Sequence, residues 1–592
     1  MRVLENSWST NGPARAVKFF AESILELTNI YSAPSYRHRT LSTVSKAHEL
    51  KRGIRDVMLR VVKKPHLTPI IEEYSDSLQL DPVVNLTMEF KGLSSDLLIL
   101  KMSDSLEKME AKVDLFFDLV ASEYEKTCTN MIKHLCAFES KEKTLIRICA
   151  DHYVACKLKN GVSREHIHIS AKREFSIISN AGDELPALMR FINACDGKER
   201  RYDLLINSPN GIGSILESTL NVENYKNKDD LPAHFRFGAF GKRSLSDEGD
   251  FSIVKGIPGK DPINAIRNLK SVLEMFHAFH FIFPNGPRWN LPASACSFDS
   301  ETGGVYHTTI SDYVHEGRRV GNPAKHRELI AGLTHFTLEK ISSESKSGLK
   351  IYSALRSASA ASRIPDADAQ LISIWSAFEA LLPHPSKDGE STVRISHFEG
   401  YITPLVTANY IEGLYRSLYN DLARNFKGAF YNFLKNNGIG KNKFDRFTSI
   451  FFADPVTKRA FTSLVSSSEL LMMRCHELEK LANDQSAVRA KLEAHERRVS
   501  WQLHRIYRAR NSIVHSGISP TYASHLTENA VAYFKSMMAL IVRIGRKYEV
   551  EKSDALFDLC SSICLRRREK IRGGTFENSQ KFLSFILAPV VE

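Results

Sequence analysis

The sequence has no stretch near the roughly 18 uninterrupted apolar residues that a membrane span needs; its densest run is "MMALIV" at 537–542. Its opening, "MRVLENSWSTNGPARAVKFF", lacks the apolar centre of a secretory signal, so the expected compartment is the cytoplasm. Cysteine is sparse. Cys128, Cys136, Cys149, Cys156, Cys195, Cys296, Cys475, Cys560 and Cys564 contain no Cys-x-x-Cys pair, and reduced thiols are expected. Internal repeats and low-complexity tracts are missing too. No phosphate loop is found: "GAFGKRS" at 238–244 would need a glycine where Arg236 stands, and "SPNGIGS" at 208–214 reads as a turn.

What is there is the composition of a folded protein, 43% hydrophobic and 25% charged, in 592 residues that exceed one ordinary core. The net charge of +12 favours polyanionic partners without fixing a fold.

The pattern along the chain predicts an α+β protein. Residues 1–315 read as a mixed α/β region, with two subdomains meeting near 140–180. "ARAVKFFAESILELTNIY" and 104–137 carry helical periodicity, whereas "SLQLDPVVNLTMEF", "DLLILKM", "HIHISAKREFSII" and "FRFGAFGKRSLSDEGDFSIVKG" read as strands. Helical periodicity dominates from about 316 to 550. There "PDADAQLISIWSAFEALL" offers Asp366 or Asp368 as N-cap and Leu371, Ile374, Trp375, Phe378 and Leu382 on one face. An insert-like region spans 436–490, and 551–592 forms a basic tail whose "RRREKIRGG" could meet phosphates or simply be a solvated face.

His166 and His168 would point the same way on a strand, which suits a metal or two half-exposed histidines, but no third ligand is near. His277 and His280 fit helix packing. No metal or cofactor is expected.

The stretch "RARNSIVHSGISP" at 508–520 combines Arg510, Asn511 and His515 with a helix stop at Gly517 and Pro520. Spacing alone is weak, since Arg498 with His504 and Arg319 with His326 look similar. Five residues turn a helix by about 140°, so Arg510 and His515 share a face only if the helix ends or distorts between them, or if a second subunit supplies a matching pair. A helix C-terminus favours a protonated imidazole. Every charged residue from Arg497 to Arg510, including Arg498, Arg505 and Arg508, is basic, which suits a phosphate backbone and disfavours a protein-only network of ion pairs. The alternative is that Arg510 and His515 merely bond the orphan carbonyls of a helix end.

Taken with "LISIWSAFEALLP" at 371–383, this stretch resembles the Apea-like branch of the HEPN superfamily. Its early helix carries a Trp-x-x-x-Glu-Ala-Leu type of segment, here Trp375 to Leu381, and its later helix carries Arg, a polar residue, three more and His. The resemblance covers about 345–550 and implies an all-α helical bundle. It implies a metal-independent endoribonuclease, of a bacterial antiphage or toxin type, with a composite site across a homodimer or higher homo-oligomer. In that reading His515 does acid–base chemistry, Arg510 holds the scissile phosphate, Asn511 orients one of them, and Glu379 supports from behind. Arg498, Arg505 and Arg508 would bind RNA, a tRNA or mRNA, while the first half senses a phage-derived trigger. The rivals are a non-catalytic HEPN module that binds RNA or nucleotide, with another activity in the first half, and a scaffold with an incidental basic surface.

Overall fold

The computed structural model describes the chain apart from residues 1–3, 5–7, 9–11, 34–35, 38–40, 139–141, 177, 179–181, 208–215, 218–219, 237–249, 283–293, 310–345, 365, 384–390, 551–552 and 591–592. The protein is mostly helical, with a small five-stranded antiparallel sheet near residues 200–306. "GAFGKRS", "SPNGIGS" and the Arg319–His326 pair lie outside the described residues.

Apolar side chains at helical spacing build the first core. α1 (Gly12–Thr28) is enclosed on most sides, burying Val17, Phe19, Phe20, Ile24 and Leu27. Around it stand α2 (Thr43–Met58), α3 (Thr68–Leu80), α4 (Pro82–Glu89), α5 (Leu106–Phe116), α6 (Tyr124–Ala137), α7 (Lys143–Lys159), α8 (Arg164–Ser176) and α9 (Glu184–Ala194). Three strands expected here are helical instead. In "SLQLDPVVNLTMEF" the Asp-Pro pair starts a helix: Asp81 caps α4 by accepting from the Val83 and Val84 amides, and Pro82 takes the first turn, where no amide hydrogen is needed. "DLLILKM" supplies a short 3-10 turn at Ser95–Leu98. "HIHISAKREFSII" forms α8, burying His166, Ile167, Ser170, Ala171 and Phe175 at intervals of one, three and four. Short alternation was a weak guide against that spacing. His166 and His168 therefore diverge: His166 Nε2 lies 2.9 Å from the Ala194 carbonyl, and His168 Nδ1 lies 3.0 Å from Thr28 Oγ1.

The sheet comprises β1 (Arg200–Asn207), β2 (Val222–Tyr225), β3 (Phe251–Gly259), β4 (Ser294–Asp299) and β5 (Val305–Thr309), in the order β2-β3-β1-β4-β5. Central β1 pairs antiparallel with both β3 and β4. Its Tyr202, Leu204 and Ile206 meet Ala265, Ile266 and Leu269 of α10 (Pro262–Ile282), the helix that also carries His277 and His280. The region 1–315 thus holds both helices and strands, but the strands gather in this one sheet after a helical first part.

The C-terminal part is all helical. α11 (Lys346–Ala361), α12 (Ala367–Leu381) and α13 (Ser391–Thr407) surround fully buried Trp375. α14 (Tyr410–Asn437), α15 (Lys443–Ser449), α16 (Pro455–Val465) and α17 (Glu469–Asn483) make a further core, so the 436–490 region is helical and packed. The 32-residue α18 (Gln485–Ser516) serves both: Val488 and Leu492 lie in the core of α14–α17, while Val499, Leu503 and Ile506 lie around Trp375. α19 (Ala523–Tyr548), α20 (Ser553–Gly573) and α21 (Ser579–Leu587) complete the chain. Part of the basic run of α20 is engaged within the protein, with Arg568 and Arg572 on Glu496 and Arg567 on the carbonyls of Phe585, Ile586 and Ala588, whereas Arg566 and Lys570 are exposed.

Buried polar contacts join the first core to α17. Glu22 accepts from the Leu470 amide at 2.9 Å and the Ser468 hydroxyl at 3.0 Å, and burial pushes its carboxyl up to about 7. Glu26 pairs with Arg474, whose guanidinium also reaches Asp421 at 2.9 Å and stacks over Tyr36.

Among the described residues no helix is long and apolar enough to cross a membrane.

Candidate functional site

α18 starts on Asp484, which caps the Ser486 and Ala487 amides, and runs unbroken to Ser516. Gly517 takes the left-handed conformation, φ +64°, that ends helices at little cost only for glycine, and its amide closes on the Ile513 carbonyl at 3.0 Å. The stop signals in "HSGISP" work as expected, but the break falls after His515 and not between it and Arg510. Within one chain the two residues therefore stay on different faces of a regular helix.

Arg510 turns toward α12. Glu379 Oε2 lies 3.6 Å from its Nη2, and its Nη1 donates to Asn511 Oδ1 at 3.0 Å. Glu379 is itself fixed through Oε1, which accepts from the Trp375 indole at 3.0 Å. The indole packs with Tyr507 of α18, ring centroids 5.6 Å apart, so the two segments singled out in the sequence meet through Trp375, Glu379 and Arg510. About a fifth of the Arg510 side chain remains exposed.

His515 sits in the last turn, exposed, with no hydrogen bond or ion pair to any described residue. Neither Arg510 nor His515 bonds a backbone carbonyl among the described residues. The helix end is closed by Gly517 and by Ser512, whose hydroxyl donates to the Ile518 carbonyl at 2.8 Å. Ser519 adds a bond to Asp368 Oδ1 at 2.7 Å, tying the loop to the start of α12.

The basic run on α18 is not the open polyanion field that its lack of local acids suggested. Acids arrive from distant helices. Arg505 is buried, donating to Glu49 of α2 at 2.8 Å and to Glu73 of α3, and Arg508 donates to the other Glu49 oxygen at 2.6 Å. Burial opposes ionisation of Glu49, but the two guanidinium groups win and hold its carboxyl at about 2. Arg505 is thus removed from any RNA-facing surface, because freeing it would take a guanidinium from two buried carboxylates. Arg508 is half-buried on Glu49, and Arg498 is exposed beside Tyr410. The decoy His504 is likewise structural, 3.0 Å from Glu399 of α13.

Sequence reading missed Glu49, Glu73 and Ser512. Glu49 and Glu73 stand 456 and 432 positions from Arg505, and nothing local marks them as its partners. Among the described residues no group of three or more His, Cys, Asp or Glu is disposed to hold a metal ion.

Comparison with family models, curated proteins and solved structures finds no match to this chain.

Proposed function

We propose that this chain is a metal-independent endoribonuclease of the Apea-like HEPN type, acting on RNA in a bacterial antiphage or toxin-type response. The observation that carries this reading is the division of labour at the end of α18. Gly517 and Ser512 close the helix, so Arg510 and His515 are not occupied with capping it. Arg510 is oriented by Glu379, while His515 stands exposed and unpartnered among the described residues.

With the two residues on different faces of one helix, the site forms between two copies of the chain. His515 of one copy faces Arg510 of the other. One imidazole takes the proton from the RNA 2′-hydroxyl, the 2′-oxygen attacks phosphorus, and the departing 5′-oxygen is protonated, leaving a 2′,3′-cyclic phosphate and a 5′-hydroxyl. The Arg510 fork neutralises charge gathering on the phosphate oxygens, and Asn511 holds the fork through its side-chain carbonyl. The helices before residue 196 and the sheet restrain or trigger the nuclease in response to a phage-derived signal.

RNA cleavage in EDTA tests the proposal. Wild type should cut a bulk tRNA or mRNA preparation, and His515→Ala should cut at least about 100-fold more slowly, as loss of general acid–base catalysis predicts. Cleavage that survives His515→Ala sinks it.

A further inference from the structure

Side-chain bonds between α2 and α18 run in the same direction along both helices. Glu49 takes Arg505 and Arg508, and three residues along α2, on the same face, Arg52 Nη2 donates to Ser512 Oγ at 2.6 Å. Ser512 passes the contact on by donating to the Ile518 carbonyl. An arginine of the first helical core thus reaches the middle of the Arg510–His515 segment.

Arg52 is exposed, and a serine hydroxyl is its one hydrogen-bond partner among the described residues. Asp56, one turn on, feels its charge without forming an ion pair with it. Contrast Arg505 and Arg508, which are tied to carboxylates. A guanidinium has five donors in a rigid fork, and Ser512 occupies one, leaving the rest for an anion.

We infer that Arg52 is a phosphate-contacting residue of the Arg510–His515 site, holding an RNA backbone phosphate beside the scissile one from outside the C-terminal bundle. The inference rests on the ribonuclease reading for its substrate. It goes further in making the first core part of the RNA-binding surface.

The test uses the full chain and a labelled, mixed-sequence single-stranded RNA. In a His515→Ala background, where the RNA stays intact, Arg52→Gln should weaken binding about 5- to 10-fold. It should also flatten the slope of log affinity against log salt by about 0.7, the value of one phosphate contact on a single strand, and Arg52→Lys should restore that slope. With His515 present, Arg52→Gln should raise KM and leave kcat within about twofold, because the contact is made equally in ground and transition states. An unchanged slope and KM in Arg52→Gln overturns the inference. So does a joint fall in kcat and melting temperature with the slope unchanged, which marks a structural tether. If cleavage proves independent of His515 while the slope still changes, the phosphate contact stands and the nuclease reading falls. No RNA binding by the wild-type chain overturns both.

Discussion

Glu379 Oε2 lies 3.6 Å from Arg510 Nη2, while its other oxygen is held by the Trp375 indole, so the arginine is aimed by a carboxylate that is itself aimed by a buried ring. Glu379→Gln keeps a partner for the indole but removes the charge. A partly exposed ion pair adds little stability, so the melting temperature should move by no more than about 2 °C, whereas cleavage should fall about tenfold as Arg510 loses its orientation. Calorimetry beside a cleavage assay checks this. Unchanged cleavage would remove Glu379 from the site.

Arg510→Ala and His515→Ala, each inactive alone, should regain activity when mixed and allowed to exchange subunits. A mixed pair contains one junction with both native residues. Failure to complement in a dimer confirmed by light scattering would refute the composite site. Arg510→Lys should rescue poorly, because an ammonium lacks the two-pronged grip.

The decoy residues should behave differently. His504→Ala breaks a partly buried pair with Glu399 and should lower thermal stability by about 1–2 kcal/mol, with cleavage retained. Arg498→Ala should at most weaken RNA binding in a salt-dependent way. A cleavage defect in His504→Ala matching that of His515→Ala would reassign the catalytic histidine.

Two buried carboxylates predict opposite pH responses. The Glu49 carboxyl is held at about 2, below its ordinary 4.5, so its contribution is present above about pH 4.5 and lost as the pH falls through 2. That contribution is on the order of 3 kcal/mol, and Arg505→Met, which leaves Glu49 to Arg508 and Glu73 to Lys46, should cost about 3 kcal/mol near neutrality. Glu22 is raised to about 7, so its contribution is present below about pH 4.5 and lost as the pH rises through 7. Glu22→Gln should therefore raise the melting temperature at pH 8 more than at pH 5. An equal shift at both values would show that Glu22 does not titrate there.

Elements with their signals close together in sequence were legible. Asp366 as N-cap, the apolar face through Trp375 and Phe378, and the stop at Gly517 all follow from neighbours within a turn or two, and the structure shows each. The strand readings failed where local signals conflicted: Asp81-Pro82 is a helix start, and its cap outweighed a brief alternation of apolar residues. The field around α18 was misread for another reason. Charges on one helix say nothing of acids folded against it from more than four hundred residues away, and Glu49 and Glu73 neutralise what the run alone presents as open. The i,i+5 geometry of Arg510 and His515 was legible too, and with the stop at Gly517 it leaves the two residues on different faces of one helix.

α18 is a single unbroken helix whose first turns are gripped by one core, whose middle is gripped by another, and whose last turn carries His515. At 1.5 Å per residue it is about 48 Å long. With its fulcrum in the Trp375 core it can act as a lever arm: His515 stands about 18 Å beyond Leu503, so a tilt of about 3° moves it by about 1 Å, more than the roughly 0.6 Å spread of distances over which a general base works. Small rearrangements among α14–α17, far from any phosphate, would thus be felt at the histidine as a change of aim.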